Sequence, residues 1–412
     1  MAAKPFAGAK AQQSRPQIPK QSQSPTVVSK PLERPDPIWL RDACHCELCV
    51  DPSSKQKHFQ TSDIPLEIDY LSRDVGPDGT LSVTWSNDIQ GFGSNHVSTY
   101  TKDFLSSYSD NGRVETDETN PCGYGECRRW DKAMINESVK FIDFNHYMSQ
   151  DSVLYDGLKQ LQLYGLVFLR NVPDSEKAIE DIGGRIGPLK NTFYGLTWDV
   201  KSVPQAKNVA YTHQYLGLHM DLLYTDSPPA LQLLHCLKNS CEGGTSLFCD
   251  SYQAAVQLRE DNINAFDRLL LQKTRFVYDN AGENYAKKRY VVQVGKNKEI
   301  VSINWSPPFQ GPFIIPGGSL DSKGASRFRS YARALKELAA RIEAPENIYE
   351  YRLKEGECVI FNNRRVLHAR TAFDISSGER WLKGAYIDKD VWTSRHRVLD
   401  KIFRPTATSL TS

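Results

Sequence analysis

The 412-residue sequence contains no run of about 18 apolar residues, the length that a membrane-spanning helix requires. Its first thirty residues also lack the apolar stretch of a secretory signal. An excess of one charge is missing too, since 51 basic residues face 49 acidic ones for a net charge of +2. That balance supplies no long-range field for a polyanion or an anionic bilayer, so no nucleic-acid or membrane partner is expected. No P-loop or GxGxxG phosphate fingerprint is present, and no internal repeat marks a solenoid. The expected setting is intracellular, cytoplasmic with a mitochondrial alternative. There the nine cysteines read as thiols or metal ligands rather than disulfides.

Residues 1–36 carry Pro5, Pro16, Pro19, Pro25, Pro31 and Pro35 among Gln, Ser and Lys, with few large apolar groups to bury. A disordered tail is expected, with a mitochondrial presequence as the alternative. Residues 37–135 read as a small β-rich domain. In it "PLEIDYL" (65–71) and "TLSVTWS" (80–86) alternate apolar and polar residues around the turn "GPDG".

From residue 136 to 412 the pattern changes to a larger mixture without a regular β-α-β rhythm. "GLVFLRNV", "PALQLLHCL", "IVSINW", "ECVIFNN" and "RWLKGAYI" read as strands. Helices are expected at 175–187, opened by Asp174 or Ser175, and at 325–342. Many strands with few helices argue for a sheet sandwich or barrel braced by helices.

One short stretch raises the functional question. "GLHMDLLY" (217–224) sets His219 and Asp221 two apart in an apolar, strand-like run, where i and i+2 side chains share a face. A pair of this kind is often no more than a hydrogen-bonded core pair. With a second histidine it becomes the 2-His-1-carboxylate set that grips iron(II) by one face and leaves positions open for reagents. His368 in "NNRRVLHART", after the strand "ECVIF", is the candidate. Twelve residues further on, Arg380 heads "RWLKGAYI", where alternation puts Arg380, Leu382, Gly384 and Tyr386 on one face. A buried arginine needs an anion, and the far carboxylate of a dicarboxylate suits its bidentate fork.

The HxD pair, a distant histidine and an arginine twelve positions beyond resemble the taurine-dioxygenase-like Fe(II)/2-oxoglutarate oxygenases. Within them the chain resembles the γ-butyrobetaine hydroxylase and trimethyllysine hydroxylase branch, from "WLRDACHCELC" at 39 to "SRHRVL" at 399. "FYGLTW", "NVAYT", "PPALQLLHC", "GGTSLF" and "VLHAR" carry the likeness. It implies an α+β, mainly β fold with a double-stranded β-helix core, jelly-roll or cupin-like, braced by helices. It also implies Fe(II) on His219, Asp221 and His368, 2-oxoglutarate on Arg380, dioxygen as reagent, ascorbate as reductant and a homodimer.

The same resemblance implies an aromatic cage of Tyr194, Trp198, Tyr211 and Tyr386 for a quaternary ammonium substrate, which binds by cation–π attraction. γ-Butyrobetaine, hydroxylated to L-carnitine, is the first expectation, and trimethyllysine or another small cationic or carboxylic substrate is the alternative. "HMD" departs from the branch's usual HTD. A non-catalytic reader of methylated lysine is the reading from another class; it needs neither the triad nor Arg380.

"CHCELC" brings Cys44, Cys46 and Cys49 within six residues, a spacing suited to structural zinc with one ligand still to find. His45 and His58 are near in sequence, whereas the resemblance points to His96. Cys122 and Cys127 in "CGYGEC" stay unassigned.

Overall fold

Alternation of apolar and polar residues sets the smaller sheet. β1 (Asp69–Val75), β2 (Leu81–Ser86) and β3 (Val97–Tyr100) form an antiparallel sheet in that order. Every second residue of β2, Leu81, Val83 and Trp85, is buried against Leu40, Phe59, Ile64, Ile68, Ile89 and Tyr100. The first strand starts later than the "PLEIDYL" pattern predicts. The amide of Ile68 closes a turn on the carbonyl of Pro65 at 3.1 Å, so the chain reverses before it extends. In the computed structural model, which describes residues 35–93, 96–109, 126–201, 216–313 and 322–404, the chain divides into two units, 1–116 and 117–412. The expected tail and Cys122 fall mostly or wholly outside the described residues. Trp130 and Ile135 are buried in the second unit's core, so that unit reaches back before residue 136.

The second unit is a double-stranded β-helix, built from strands that fold back antiparallel in two layers. Its strands are β4 (Lys140–Asp143), β5 (Leu166–Arg170), β6 (Thr197–Lys201), β7 (Leu216–His219), β8 (Leu231–Asn239) and β9 (Ser246–Asp250). There follow β10 (Lys273–Asn280), β11 (Glu283–Tyr290), β12 (Val292–Val294), β13 (Ile300–Ile303), β14 (Ile348–Tyr351), β15 (Glu357–Asn362), β16 (Val366–Arg370) and β17 (Arg380–Ile387). One sheet runs β4-β5-β15-β8-β17-β6 and the other β14-β9-β16-β7. All these pairings are antiparallel except β4 with β5.

Apolar side chains from both sheets share one core: Phe168, Val359, Phe361 and Leu382 meet Phe248, Tyr349 and Val366. The outer face of the larger sheet is covered by helices Asp151–Tyr164, Ala178–Ile186 and Lys389–Phe403, through Leu158, Leu161, Ile182, Trp392 and Leu399. The helix Ala178–Ile186 opens after the Asp174 and Ser175 that were expected to start it. The amide of Ala178 bonds to the carbonyl of Ser175, leaving a turn ahead of the helix. A long helix, Ser322–Ile342, packs with two shorter ones and the hairpin β10–β11 around Tyr331, Leu338 and Phe276.

Two buried charges tie the four-stranded sheet of the second unit in place. Arg365, just before β16, pairs with Asp250 at the end of β9 at 2.8 Å, both fully buried. Asp250 also caps the helix Ser251–Asp261 and accepts the amide of Trp130. Removing one member of such a pair leaves an uncompensated charge and costs about 3–5 kcal/mol. Among the described residues no helix is long and apolar enough to cross a membrane.

Candidate functional site

β7 ends at His219, and the next residues leave the sheet. The amide of Met220 donates to the carbonyl of Trp305 at 2.8 Å, and that of Asp221 to Asn363 Oδ1 at 2.8 Å. Asn363 returns its amide to the carbonyls of Asp221 and Pro229. Leu222 then takes φ +57°, a left-handed conformation costly for a branched side chain. Asp221 is thus not on the strand, as the alternation implied, but on a turn pinned by Asn363.

His219 and Asp221 still converge, and His368 on β16 stands opposite His219 in register. The imidazole centroids are 4.2 Å apart. Asp221 Oδ1 lies 3.2 Å from His219 Nε2, and Oδ2 lies 3.9 Å from His368 Nε2. All three donor atoms fall within 4.8 Å of one another.

The surroundings prepare these groups for a metal. His219 Nδ1 donates to the carbonyl of Gly217 at 2.8 Å, which fixes the tautomer and leaves Nε2 as a lone-pair donor. Burial, then the neighbouring His219, push His368 down to about 3, so it is a neutral imidazole at physiological pH. Burial alone would raise the Asp221 carboxyl, but its surroundings of His219, His368 and the donating Tyr386 hydroxyl hold it below the usual carboxylate range. Two imidazole nitrogens and one carboxylate fit a ferrous ion, whose bonds of about 2 Å at right angles set donors ~3 Å apart.

At the other end of the same pocket stands Arg380, the first residue of β17, 7% exposed, with Nε accepted by no described residue. Gly244, at φ +67°, lies directly beneath it, and a Cβ there would come within 3.0 Å of Nε. Burial lowers the Arg380 guanidinium from its ordinary value. Arg370 is a second arginine in this wall. Burial, then Arg380, push it down to about 10. Phe373 lies between them, its ring centroid 4.7 Å from the Arg370 guanidinium carbon and 5.6 Å from that of Arg380. A buried guanidinium with no described acceptor at its Nε, as Arg380 has, suits an anion. Arg370 was not predicted, although its place two residues after His368 on a strand puts it on the same face.

The third wall is aromatic. Tyr194, Trp198 and Tyr386 line the pocket, with Tyr386 stacked on Trp198 at 4.0 Å and Tyr194 6.3 Å from Trp198. Gly384 permits the stack, since a Cβ would sit 2.4 Å from the indole. The fourth expected ring, Tyr211, lies outside the described residues. Tyr224 is an unpredicted lining ring, its hydroxyl 3.4 Å from that of Tyr194. Tyr386 does more than stack, because its hydroxyl donates to Asp221 Oδ2 at 2.6 Å.

Residues 133–386 match the Taurine catabolism dioxygenase TauD, TfdA family. The chain belongs to that family, and it is a 2-oxoglutarate-dependent dioxygenase. It is 37% identical over 386 residues to Dioxygenase str8 of Strobilurus tenacellus, covering 90% of this chain and 86% of the relative. To the gamma-butyrobetaine dioxygenase of Pseudomonas sp. (strain AK-1) it is 30% identical, over 88% of this chain and 90% of the other. To the trimethyllysine dioxygenase of Meyerozyma guilliermondii it is 27% identical, over 89% and 90%.

The N-terminal unit holds a separate cluster. His96 Nε2 lies 3.6, 3.3 and 3.3 Å from the sulfurs of Cys44, Cys46 and Cys49. Tetrahedral zinc with bonds of about 2.0 Å to nitrogen and 2.3 Å to sulfur sets such atoms ~3.5 Å apart, so the donor set fits. His96 Nδ1 donates to Asp88 at 2.7 Å, and Arg41 spans from Asp88 to Cys49 Sγ. A carboxylate behind a ligating imidazole orients it and raises its basicity. His45 and His58 are exposed and stand outside the group.

Proposed function

We propose that His219, Asp221 and His368 hold iron(II), that Arg380 binds the far carboxylate of 2-oxoglutarate, and that the aromatic wall receives a quaternary ammonium substrate. γ-Butyrobetaine, hydroxylated to L-carnitine, is the favoured substrate. The observation that carries the reading is the meeting of three metal donors, a buried arginine and four aromatic rings, Tyr194, Trp198, Tyr224 and Tyr386, in one pocket. The iron, when bound, supplies the oxidising chemistry by which 2-oxoglutarate and dioxygen become succinate, carbon dioxide and one hydroxyl group on the substrate.

The chain's own residues do the placing. Arg380 fixes one end of the co-substrate, so the other end meets the metal donors in a single orientation. The Gly217 carbonyl holds His219 with Nε2 forward, and the Tyr386 hydroxyl holds one oxygen of Asp221. Leu222, Leu234 and Leu382 line the pocket between the polar ends and keep water out. A trimethylammonium group has no proton to donate and is held by ring faces, each worth about 0.5–2 kcal/mol. The Cys44, Cys46, Cys49 and His96 cluster is read as a closed, structural zinc site.

One observation favours a second reading of the substrate. Trp198 and Tyr386 lie face to face at 4.0 Å, so a methylammonium group enters between them only if they part. A substrate packing on the outer face of the pair, another small cation or an uncharged group, meets no such demand. Mass spectrometry of the iron-loaded enzyme with 2-oxoglutarate, γ-butyrobetaine and trimethyllysine tests the choice. A product heavier by one oxygen from γ-butyrobetaine alone is the expected result. Oxidation of trimethyllysine alone, or of neither with succinate formed only on another substrate, overturns it.

A further inference from the structure

Gln232 lies in the pocket wall, 3% exposed, and its Oε1 accepts a hydrogen bond from no described residue. Its neighbours give its position. On β8 it stands opposite Phe361 of β15 and Tyr386 of β17. Residues opposed in antiparallel pairs share a face, so the three side chains form one row across three strands. Both outer members reach the metal donors. The Phe361 ring is 4.9 Å from that of His368, and the Tyr386 hydroxyl is bonded to Asp221. Gln232 is therefore the single amide in an otherwise aromatic row, at the metal end of the pocket, with Arg380 six residues along β17 from Tyr386.

A buried amide oxygen without a partner forfeits its bonds to water and is uncommon in a settled core. In a ligand pocket the ligand completes it. Rotation about the last side-chain bond exchanges the amide oxygen and nitrogen, so the same position can present two N–H donors to an anion. The Tyr386 hydroxyl is already committed to Asp221, which leaves the Gln232 amide to meet a carboxylate arriving at this end.

We infer that Gln232 binds the 2-oxo acid end of the co-substrate, donating Nε2–H to the carboxylate beside the metal, while Arg380 holds the other carboxylate. The inference rests on the iron and 2-oxoglutarate reading above. A donor at each end makes the pocket a gauge of ligand length, selecting a dicarboxylate over a shorter 2-oxo acid.

Calorimetric titration of 2-oxoglutarate into the full chain, loaded with cobalt(II) without oxygen, gives a Kd for wild type, Gln232→Leu and Gln232→Glu. The expected Kd rises about tenfold in Gln232→Leu, the loss of one hydrogen bond to a charged group. It rises further in Gln232→Glu, which keeps the volume but turns a like charge on the ligand. A packing role gives the opposite order, with Gln232→Glu nearest wild type, and that order or equal Kd values overturn the inference. Cobalt affinity and melting temperature keep folding out of the comparison, and if Gln232→Leu does not fold the isosteric Gln232→Glu carries the test. A wild-type chain that binds cobalt but no 2-oxoglutarate overturns the parent reading and this one with it.

Discussion

The hydroxyl of Tyr386 donates a 2.6 Å hydrogen bond to Oδ2 of Asp221, so a ring of the aromatic wall also orients a metal donor. On the proposed reading, substrate recognition and metal binding are joined in one side chain. Tyr386→Phe keeps the ring and removes the bond. Loss of such a supporting contact weakens metal binding about ten- to a hundredfold, while the substrate KM, which depends on the ring face, changes little. Cobalt(II) titration beside steady-state kinetics separates the two effects. A variant with unchanged metal affinity and a raised KM contradicts this role.

The Trp198 indole rests on Gly384, where a Cβ would lie 2.4 Å from the ring. Gly384→Ala therefore displaces Trp198 without touching the triad. The expected result is a severalfold rise in substrate KM with little change in the Kd of 2-oxoglutarate. Trp198→Leu acts in the same direction and more strongly, since it removes a ring worth about 0.5–2 kcal/mol to a cation. Equal damage to both ligands would count against the aromatic wall as the substrate site.

In the N-terminal unit, the proposed zinc site of Cys44, Cys46, Cys49 and His96 would carry the fold as well as the metal. Its small core is built around Cys44 and Cys49, and structural zinc sites supply folding free energy outright. Elemental analysis is expected to find one zinc per chain. Asp88→Asn, which leaves the ligands intact, lowers zinc affinity about ten- to a hundredfold. A competition titration with a chromophoric chelator checks it; no change would contradict the support that Asp88 gives His96.

His235 gives the stability a pH dependence. It is fully buried on β8, neither ring nitrogen bonds to a described residue, and burial pushes it down to about 4 from 6.5. A base with a depressed folded value takes its proton more readily when unfolded. Its stabilising contribution is therefore full above 6.5 and falls as pH drops toward 4. Between pH 7 and pH 5 the loss is about 2 kcal/mol, at 1.36 kcal/mol per unit. Denaturant unfolding of His235→Leu is expected to show a correspondingly flatter pH profile, and an unchanged profile would contradict it.

The sequence made the strands legible because they follow local periodicity, and the short His219–Asp221 spacing with the family likeness at "VLHAR" pointed to the three converging side chains. "ECVIFNN" and "RWLKGAYI" became β15 and β17, and His219 and His368 came together in register. It was less informative where tertiary contacts decide. Asp221 sits on a turn because Asn363, far along the chain, binds its backbone at both ends. The hairpin β10–β11 is hidden by Lys287, Lys288 and Arg289, charges that an exposed strand tolerates. Tyr386 looked like a cage ring alone, since no spacing rule reports where a phenol hydroxyl ends. Arg370 and Gln232 sat within matching stretches, but only burial in a shared pocket gives them meaning.

The account rests on His219, Asp221 and His368 binding one iron with Arg380 set to anchor the co-substrate. Anaerobic absorbance on adding iron(II) and then 2-oxoglutarate tests it most directly. A visible charge-transfer band is expected in wild type and absent in His368→Ala, and Arg380→Leu needs about thirtyfold more 2-oxoglutarate, the ~2 kcal/mol loss of a desolvated charge pair. A band that persists undiminished in His368→Ala, or no band in wild type, contradicts it.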